Sequence, residues 1–402
     1  MSVLKYTRSG NNRSLNLLGI TIMEQTQNLV TGTRFQSFFG GVISTKRESS
    51  FDSSYAQKVV NIFGRPIISY ILENNVKKHF LLGKNILNIS LFDTFKKQYF
   101  KYFSQNYDDI YILKANCGEA YLTLTYIIQT LIDKNKSKNP LLVATAKYHI
   151  DMIKLICPQI PYILIENFST KISETEFEID DFKFFILYNP HHYTKTVEKM
   201  KQSKIQGSAH YFKSILEELN INPQEIKRQN VELTHDIKNS MLQKVTNTGL
   251  NLNKFIFLAP EAQTCKLYDD DFWSELIIAL NARGYDVFVN ITGNDIKLLS
   301  NLNYKTCNLT LSEAFALAKQ SKKIVSLRSG FTEFLIQTDV KLDVLYTQTK
   351  HNLEQGYLNA NQTISNFSLL ALPYINTDKI REFNMFKISS QTAIDMILED
   401  LE

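Results

Sequence analysis

The sequence predicts an α/β protein with two α/β domains behind a β-rich N-terminal appendage, and three observations carry that prediction. From Ile110 onward, short apolar runs alternate with runs whose apolar residues fall at helical spacing, the rhythm of a parallel sheet covered by helices. The rhythm occurs twice, before residue 245 and again from Phe255, with the polar stretch Pro223 to Asn253 between. The first hundred residues lack it. They carry a loose repeat of an apolar residue, glycine and then β-branched residues: L-G-I-T-I at Leu18, F-G-G-V-I at Phe39, F-G-R-P-I-I at Phe63 and L-G-K-N-I-L at Leu82. Short strands and turns fit that repeat best. Divisions near residues 100 and 245 give segments 1–100, 101–245 and 246–402.

In the first α/β segment, I-Y-I-L-K-A from Ile110 is a strand. After A-N-C-G-E, the residues Ala120, Leu124, Ile127, Ile128 and Leu131 mark a helix. A strand is expected at Leu141 to Ala144, a helix near His149 to Ile156, and strands at Tyr162 to Ile165 and Phe182 to Tyr188. Phe212, Ile215, Leu216 and Leu219 share one face of a closing helix that His210 opens, where capping or packing accounts for the histidine. In the second segment F-I-F-L-A is a strand, Asp271 to Ala282 a helix stopped by Gly284, and Y-D-V-F-V-N a strand. Thr310 and Glu313 form a capping box ahead of the helix A-F-A-L-A. The strand K-I-V-S-L, a further strand V-K-L-D-V-L-Y and a C-terminal amphipathic helix from Ser390 complete the order. Open parallel sheets bind ligands at the carboxyl ends of their strands, so the site is expected there.

Composition bounds the function. The 402 residues are 44% apolar and 21% charged, which is ordinary for a globular protein. The net charge of +5, with Lys and Arg spread along the chain, argues against a dedicated nucleic-acid binder and permits weak attraction to anionic lipid. No window approaches the 18 or so apolar residues that a spanning helix needs, and the N-terminus has no continuous apolar core of a leader, so a cytoplasmic location is expected. Cys117, Cys157, Cys265 and Cys307 stand far apart, which makes reduced thiols the default.

The stretch Lys322 to Ile336, K-K-I-V-S-L-R-S-G-F-T-E-F-L-I, says most about function. A strand runs through Arg328-Ser329-Gly330 directly into a helix, so an arginine and the N–H groups of Ser329, Gly330, Phe331 and Thr332 converge on one helix start. Such a start favours anions, and a guanidinium grips phosphate oxygens in a planar fork. A nucleoside diphosphate is the natural ligand; a solvated surface turn is the alternative. Glu119 sits in the first turn of the helix after the first α/β strand, as a candidate general base or as an acid favoured by the helix dipole. Glu261 and Lys266 flank the loop after F-I-F-L-A, and Asn116 precedes Glu119. His191 and His192 follow the strand F-F-I-L-Y-N-P, placed to touch an acceptor or a phosphate, or to sit in a polar loop. No third ligand at metal spacing accompanies them. Asp269-Asp270-Asp271 precedes a helix rather than ending a hydrophobic strand, so helix-start acids explain it and no essential metal or other cofactor is expected.

This order of elements resembles a GT-B glycosyltransferase, and within that architecture the bacterial family 9 group that includes the heptosyltransferases. Gly118 and Glu119 in I-L-K-A-N-C-G-E-A-Y stand where that family typically has Gly-Asp. Pro260, Lys266 and Trp273, in F-L-A-P-E-A-Q-T-C-K and D-D-D-F-W-S-E-L, match the opening of its second domain. T-L-S-E-A-F-A-L-A and then S-L-R-S-G-F-T-E follow, with Gly330 aligned and Arg328, Ser329 and Glu333 where the family has Asp, Thr and His. The resemblance covers about residues 108 to 350. It implies two Rossmann-like domains, 101–245 for the acceptor and 246–402 for the nucleotide-sugar. It also implies inverting, metal-independent transfer from a nucleotide-sugar donor to a surface-polysaccharide or lipid-linked saccharide, at the inner face of a membrane. Glu119 is then the base, and Arg328, Ser329, Gly330, Phe331, Thr332, Glu261 and Lys266 bind the donor. His191, His192 and Asn116 face the acceptor or a phosphate. A sugar-nucleotide epimerase or hydrolase, or a non-catalytic nucleotide-sugar-binding scaffold that uses the β-rich appendage as its partner surface, stands as the alternative.

Overall fold

A computed structural model describes the chain apart from residues 1–3, 10–11, 18–19, 28–33, 40–41, 50–55, 64, 104–105, 170–171, 173–175, 188–209, 263–264, 266, 294–295, 297, 299–300, 349–359, 400 and 402. The chain forms two compact units. Met1–Ile110 with Phe168–Lys195 make the first, and Tyr111–Asn167 with Thr196–Glu402 the second. These bounds differ from the expected divisions at 100 and 245.

The first unit opens with nine antiparallel strands in sequence order: β1 (Leu4–Ser9), β2 (Asn12–Leu17), β3 (Ile20–Gln27), β4 (Arg34–Phe38), β5 (Ile43–Ser49), β6 (Ala56–Ile62), β7 (Arg65–Glu73), β8 (Val76–Leu81) and β9 (Lys84–Ser90). Every second turn carries the apolar-glycine repeat read from the sequence. The β7–β8 turn is Asn74-Asn75, both with φ above zero, the mirror-image turn whose twist suits a hairpin. Ser90 then caps α1 (Leu91–Tyr99), accepting from the Asp93 N–H at 3.2 Å. Leu91, Phe95 and Tyr99 fall on the buried face of α1.

The alternating rhythm begins with β10 (Asp109–Leu113) and α2 (Cys117–Leu122), which passes through one π-helical turn, Thr123–Ile127, into α3 (Ile128–Asn135). Next come β11 (Leu141–Ala144), α4 (Lys147–Ile156) and β12 (Tyr162–Leu164), with β11 and β12 parallel as expected. The strand expected from Phe182 is present, and it is joined by an antiparallel partner that was not expected. β13 (Glu176–Ile179) and β14 (Phe182–Leu187) form an antiparallel hairpin in the first unit, turned by Asp180 at φ 54°. Phe177 and Phe184 stack across it at 5.2 Å, and Phe95 of α1 meets both edge-on. The alternation of E-F-E-I with acids is why β13 did not show as an apolar run in the sequence.

The second unit continues with α5 (Tyr211–Glu218), α6 (His235–Thr246), β15 (Phe255–Ala259), α7 (Asp270–Ala282), β16 (Asp286–Val289), α8 (Leu311–Ala318), β17 (Lys323–Leu327), α9 (Gly330–Leu335), β18 (Leu342–Tyr346), α10 (Ala360–Phe367), β19 (Ile380–Asn384) and α11 (Ser390–Glu399). All five strands from β15 are parallel, in the order β16-β15-β17-β18-β19. That is a doubly wound order, and it reverses between β15 and β17. β15, β17 and β18 are buried along their whole length, which is why they read as predominantly apolar runs, unbroken in β15 and interrupted by Lys323 and Ser326 in β17 and by Asp343 in β18. Trp273, Leu276, Ile277 and Leu280 of α7 share one core with Ile394, Ile397 and Leu398 of α11. The expected capping box at Thr310 and Glu313 is present, and Glu313 also accepts from Ser240 and Lys244 of α6, both at 2.6 Å. Among the described residues no helix is long and apolar enough to cross a membrane.

Three charges meet where β17, β18 and β19 begin. Asp343 pairs with Lys323 Nζ at 2.8 Å and takes both a Nε and a Nη bond from Arg381, each 2.8 Å, while Lys323 also donates to the Ile397 carbonyl of α11. Lys323 and Asp343 are essentially inaccessible, so removing one charge strands the other in the core. Asp343→Ala is therefore expected to cost about 3–5 kcal/mol in urea unfolding. A loss below about 1 kcal/mol would show that the cluster relaxes into solvent.

Candidate functional site

The reversal of strand order places two loops side by side at the carboxyl edge of the sheet. One is Pro260-Glu261 after β15, the other Arg328-Ser329 after β17. Glu261 Oε2 accepts from the Thr292 N–H at 2.6 Å, the Thr292 hydroxyl at 2.9 Å and the Gly293 N–H at 2.9 Å, which ties this loop to the one after β16. Its Oε1 is buried without a hydrogen-bond partner among the described residues, close under Gly293. Ser329 caps α9 reciprocally: its hydroxyl accepts from the Thr332 N–H at 3.3 Å, and Thr332 Oγ1 accepts from the Ser329 N–H at 3.0 Å.

Arg328 does not face solvent. Only 6% of it is exposed, and its guanidinium donates through Nε to the Phe367 carbonyl at 3.2 Å, through Nη1 to the Ser329 carbonyl at 2.7 Å and through Nη2 to Glu333 Oε1. Tyr211 Oη of α5 donates to the same carboxylate oxygen, and Glu333 is 2% exposed. Burial opposes the charge on Arg328, but Glu333 beside it more than compensates and holds the guanidinium protonated. The same surroundings push the Tyr211 hydroxyl well up, burial first and then the Glu333 charge.

Against this loop lies the start of α2. A Cβ on Gly330 would stand 2.5 Å from the Gly118 nitrogen and 3.1 Å from its Cα. A Cβ on Gly118 would collide with Glu333 Oε2 and stand 3.0 Å from Gly330 Cα. The two glycine turns are thus in backbone contact, and both positions require glycine for space. Glu333 Oε2 is buried there with no hydrogen-bond partner among the described residues. Asn116 is exposed at the cap of α2, and Glu119 is half exposed in its first turn. Burial raises the Cys117 thiol, and Glu333 and Glu119 push it further. Tyr148, whose hydroxyl donates to the Ala115 carbonyl at 2.8 Å, is pushed up to about 12 by burial and then by Cys117 and Glu119.

The structure therefore gathers Asn116 and Glu119 on one side of the glycine contact and Arg328, Ser329, Gly330, Phe331 and Thr332 on the other, with Glu261 on the neighbouring strand loop. His191, His192 and Lys266 lie outside the described residues. The alternative of a solvated surface turn does not hold for Arg328, because Glu333 follows on the first helical turn and pairs with it in the interior. In the sequence Glu333 stands out only as a departure from the family loop, and the opposite charge on the first helical turn after Arg328 is the signal from which a pair could have been read. Tyr211 carried no such signal. His210 does serve packing: its Nε2 meets the Ser368 carbonyl at 2.9 Å, so that nitrogen carries the proton.

No family model matches the chain, and no curated protein matches it. Solved structures do. The chain is similar to a family 9 glycosyl transferase from Veillonella parvula at 11% identity and a TM-score of 0.40, over 61% of this chain and 82% of that one. It is similar to the ADP-heptose lipopolysaccharide heptosyltransferase II of E. coli at 11% identity and a TM-score of 0.43, over 73% of this chain and 98% of that one. The iron-containing dodecameric glycosyltransferase TibC of enterotoxigenic E. coli matches at 12% identity and a TM-score of 0.38, over 81% of this chain and 75% of that one.

Two outcomes follow from the burial. Arg328→Ala leaves Glu333 uncompensated and should lower unfolding stability by about 3–5 kcal/mol, while Arg328→Met with Glu333→Leu recovers most of it. Equal stability of wild type and Arg328→Ala would show the pair to be solvated. For His210, burial lowers the imidazole to about 4 against an ordinary 6.5. The folded state thus disfavours the charged ring, so its stability is intact above about pH 6.5 and declines as pH falls towards 4. His210→Gln should flatten that part of the profile in denaturation midpoints taken between pH 7 and 4.5; an unchanged slope removes His210 from it.

Proposed function

We propose that this chain is a glycosyltransferase of GT-B type, which moves a sugar from a nucleotide-sugar donor to a surface-polysaccharide or lipid-linked saccharide acceptor. The observation that carries the reading is the reversal of strand order between β15 and β17. Ligands of open parallel sheets bind at such a point, and here it gathers the loops that the sequence marks as a donor site. In this reading the amino end of α9, Ser329 to Thr332, meets the leaving diphosphate, with Lys266 supplying charge. Glu261 accepts a donor hydroxyl, since a carboxylate repels phosphate. Asn116, His191 and His192 face the acceptor, and Glu119 takes the proton from its attacking hydroxyl, with inversion at the sugar carbon.

Arg328 changes role. With every nitrogen already bonded, it holds the turn in place and reaches a phosphate only where Glu333 lets it go. Asp269 stands at the N-cap position of α7, and Asp270 and Asp271 occupy its first turn, where the helix dipole favours acids; this supports transfer without an essential metal.

One observation favours a second reading, a non-catalytic nucleotide-sugar-binding scaffold: the Arg328–Glu333 pair and the Gly118–Gly330 contact already fill the turn. Turnover separates the two. A panel of nucleotide-sugars with and without saccharide acceptors should give acceptor-dependent release of nucleoside diphosphate that survives EDTA. Release without acceptor indicates an epimerase or hydrolase, and thermal stabilisation by nucleoside diphosphates with no release at all leaves the scaffold. Within the transferase reading, Glu119→Gln is expected to slow turnover by about two to four orders of magnitude while leaving diphosphate binding intact. Near-normal turnover in that variant would take Glu119 out of the mechanism.

A further inference from the structure

The repeat in the first hundred residues has a structural meaning that transfer does not use. The turns that join β4 to β5, β6 to β7 and β8 to β9 all fall at one end of the meander, and α1 begins at the opposite end, where β9 finishes at Ser90. Their leading residues are Phe39, Phe63 and Leu82, exposed by 64%, 79% and 67%. All three hold φ near +50°, the left-handed region that bulky side chains rarely adopt. Two of these backbones are pinned by their own N–H groups: that of Phe63 donates to the Val42 carbonyl at 2.7 Å and that of Leu82 to the Ile67 carbonyl at 2.8 Å.

The opposite end shows what this geometry ordinarily selects. The β7–β8 turn uses Asn74-Asn75 for the same positive φ values, the residue type that tolerates them. At the first end the chain keeps an aromatic ring or a leucine instead, exposed and in an unfavourable conformation. Folding gains nothing from that choice, which points to contact with something outside the chain.

The chemistry of that contact is set by shape and charge. Alternate turns of a meander stand about 9.6 Å apart, twice the strand spacing, so the three side chains form a row of separate points rather than a groove. Residues 1–90 hold eleven Lys and Arg against four Asp and Glu. Arg65 and Lys84 stand exposed beside the Phe63 and Leu82 turns, whereas Glu48 and Glu73 lie towards the far end. The segments F-F-G-G-V-I, I-F-G-R and L-L-G-K around these turns contain no acid. We propose that the row Phe39, Phe63 and Leu82, with Arg65 and Lys84, docks this end of the sheet onto an anionic lipid surface. Apolar points enter the interfacial region, and the basic residues meet the headgroup charge.

Co-sedimentation of the full chain with vesicles tests this, using phosphatidylcholine alone and phosphatidylcholine mixed with phosphatidylglycerol. Wild type is expected on the mixed vesicles, less so as salt rises. The triple variant Phe39→Asn, Phe63→Asn, Leu82→Asn should bind at least about tenfold more weakly yet melt at or above the wild-type temperature, since asparagine suits the left-handed turn. Arg65→Gln with Lys84→Gln should weaken binding only to the anionic vesicles. Absence of wild-type binding, equal binding to both vesicle types, or undiminished binding by the triple variant would each overturn the proposal. So would a triple variant that melts well below wild type, or one that loses self-association in sedimentation velocity while vesicles bind neither protein. The assay contains no donor or acceptor, so its failure and the failure of the transferase reading are separate results.

Discussion

The Arg328–Glu333 ion pair and the glycine contact beside it constrain this part of the second unit together. A carboxylate and a guanidinium removed from water are tolerated when their charges are paired and further hydrogen bonds hold them, and here those bonds serve the guanidinium and Glu333 Oε1. Here the partners come from three directions: the Ser329 carbonyl in the turn itself, the Phe367 carbonyl at the end of α10, and the Tyr211 hydroxyl on α5. Glu333 reaches its position because residue 118 has no side chain; any Cβ there would overlap its Oε2. The ion pair thus decides which residue can stand at the start of α2, and with it where Glu119 is held.

That arrangement changes the electrostatics of the site from those of an open anion-binding turn. A lone buried guanidinium would attract a diphosphate strongly, whereas one already matched to a carboxylate presents little net charge. What positive potential the turn itself offers then comes from the N–H groups at the start of α9. Glu261 is likewise committed, with one oxygen accepting three hydrogen bonds from residues 292 and 293. Rigid loops held by such bonds orient a ligand at little entropic cost, and they also resist the rearrangement that would free Arg328.

Much of the fold was legible because its signals are local. F-I-F-L-A and L-L-V-A are unbroken apolar runs and K-I-V-S-L is a mostly apolar one, and the structure shows each as a strand buried along its length. Thr310 and Glu313 announced a helix start by spacing alone, and the capping box is there. β13 and β19 escaped because E-F-E-I and I-R-E-F-N carry at least as many polar as apolar residues, and β19 finds its partner β18 more than thirty residues earlier in the chain. At the site, the glycine turns and the residues around them were legible from their place after apolar strands. Burial of Arg328 was not, since it depends on Tyr211 and Phe367, which lie 117 residues before it and 39 residues after it. Sequence pattern reports which side chains share a turn; it cannot report what packs over that turn.

Glycine itself shows how one residue type carries two kinds of information. Gly83 has φ +79° and nothing within 4 Å of where a Cβ would be, so it is present for conformational freedom. Gly118 and Gly330 have no such φ and are present because another backbone lies where a side chain would go. In sequence the two kinds look alike, each a glycine after an apolar or small residue. Their neighbours differ in consequence: beside Gly83 the leucine is free to be chosen for what it touches outside the chain, while beside Gly330 every residue is already engaged inside it. A substitution at the first kind is tolerated according to backbone strain alone. At the second kind it displaces a helix, and with it the carboxylate and guanidinium that the helix start holds together.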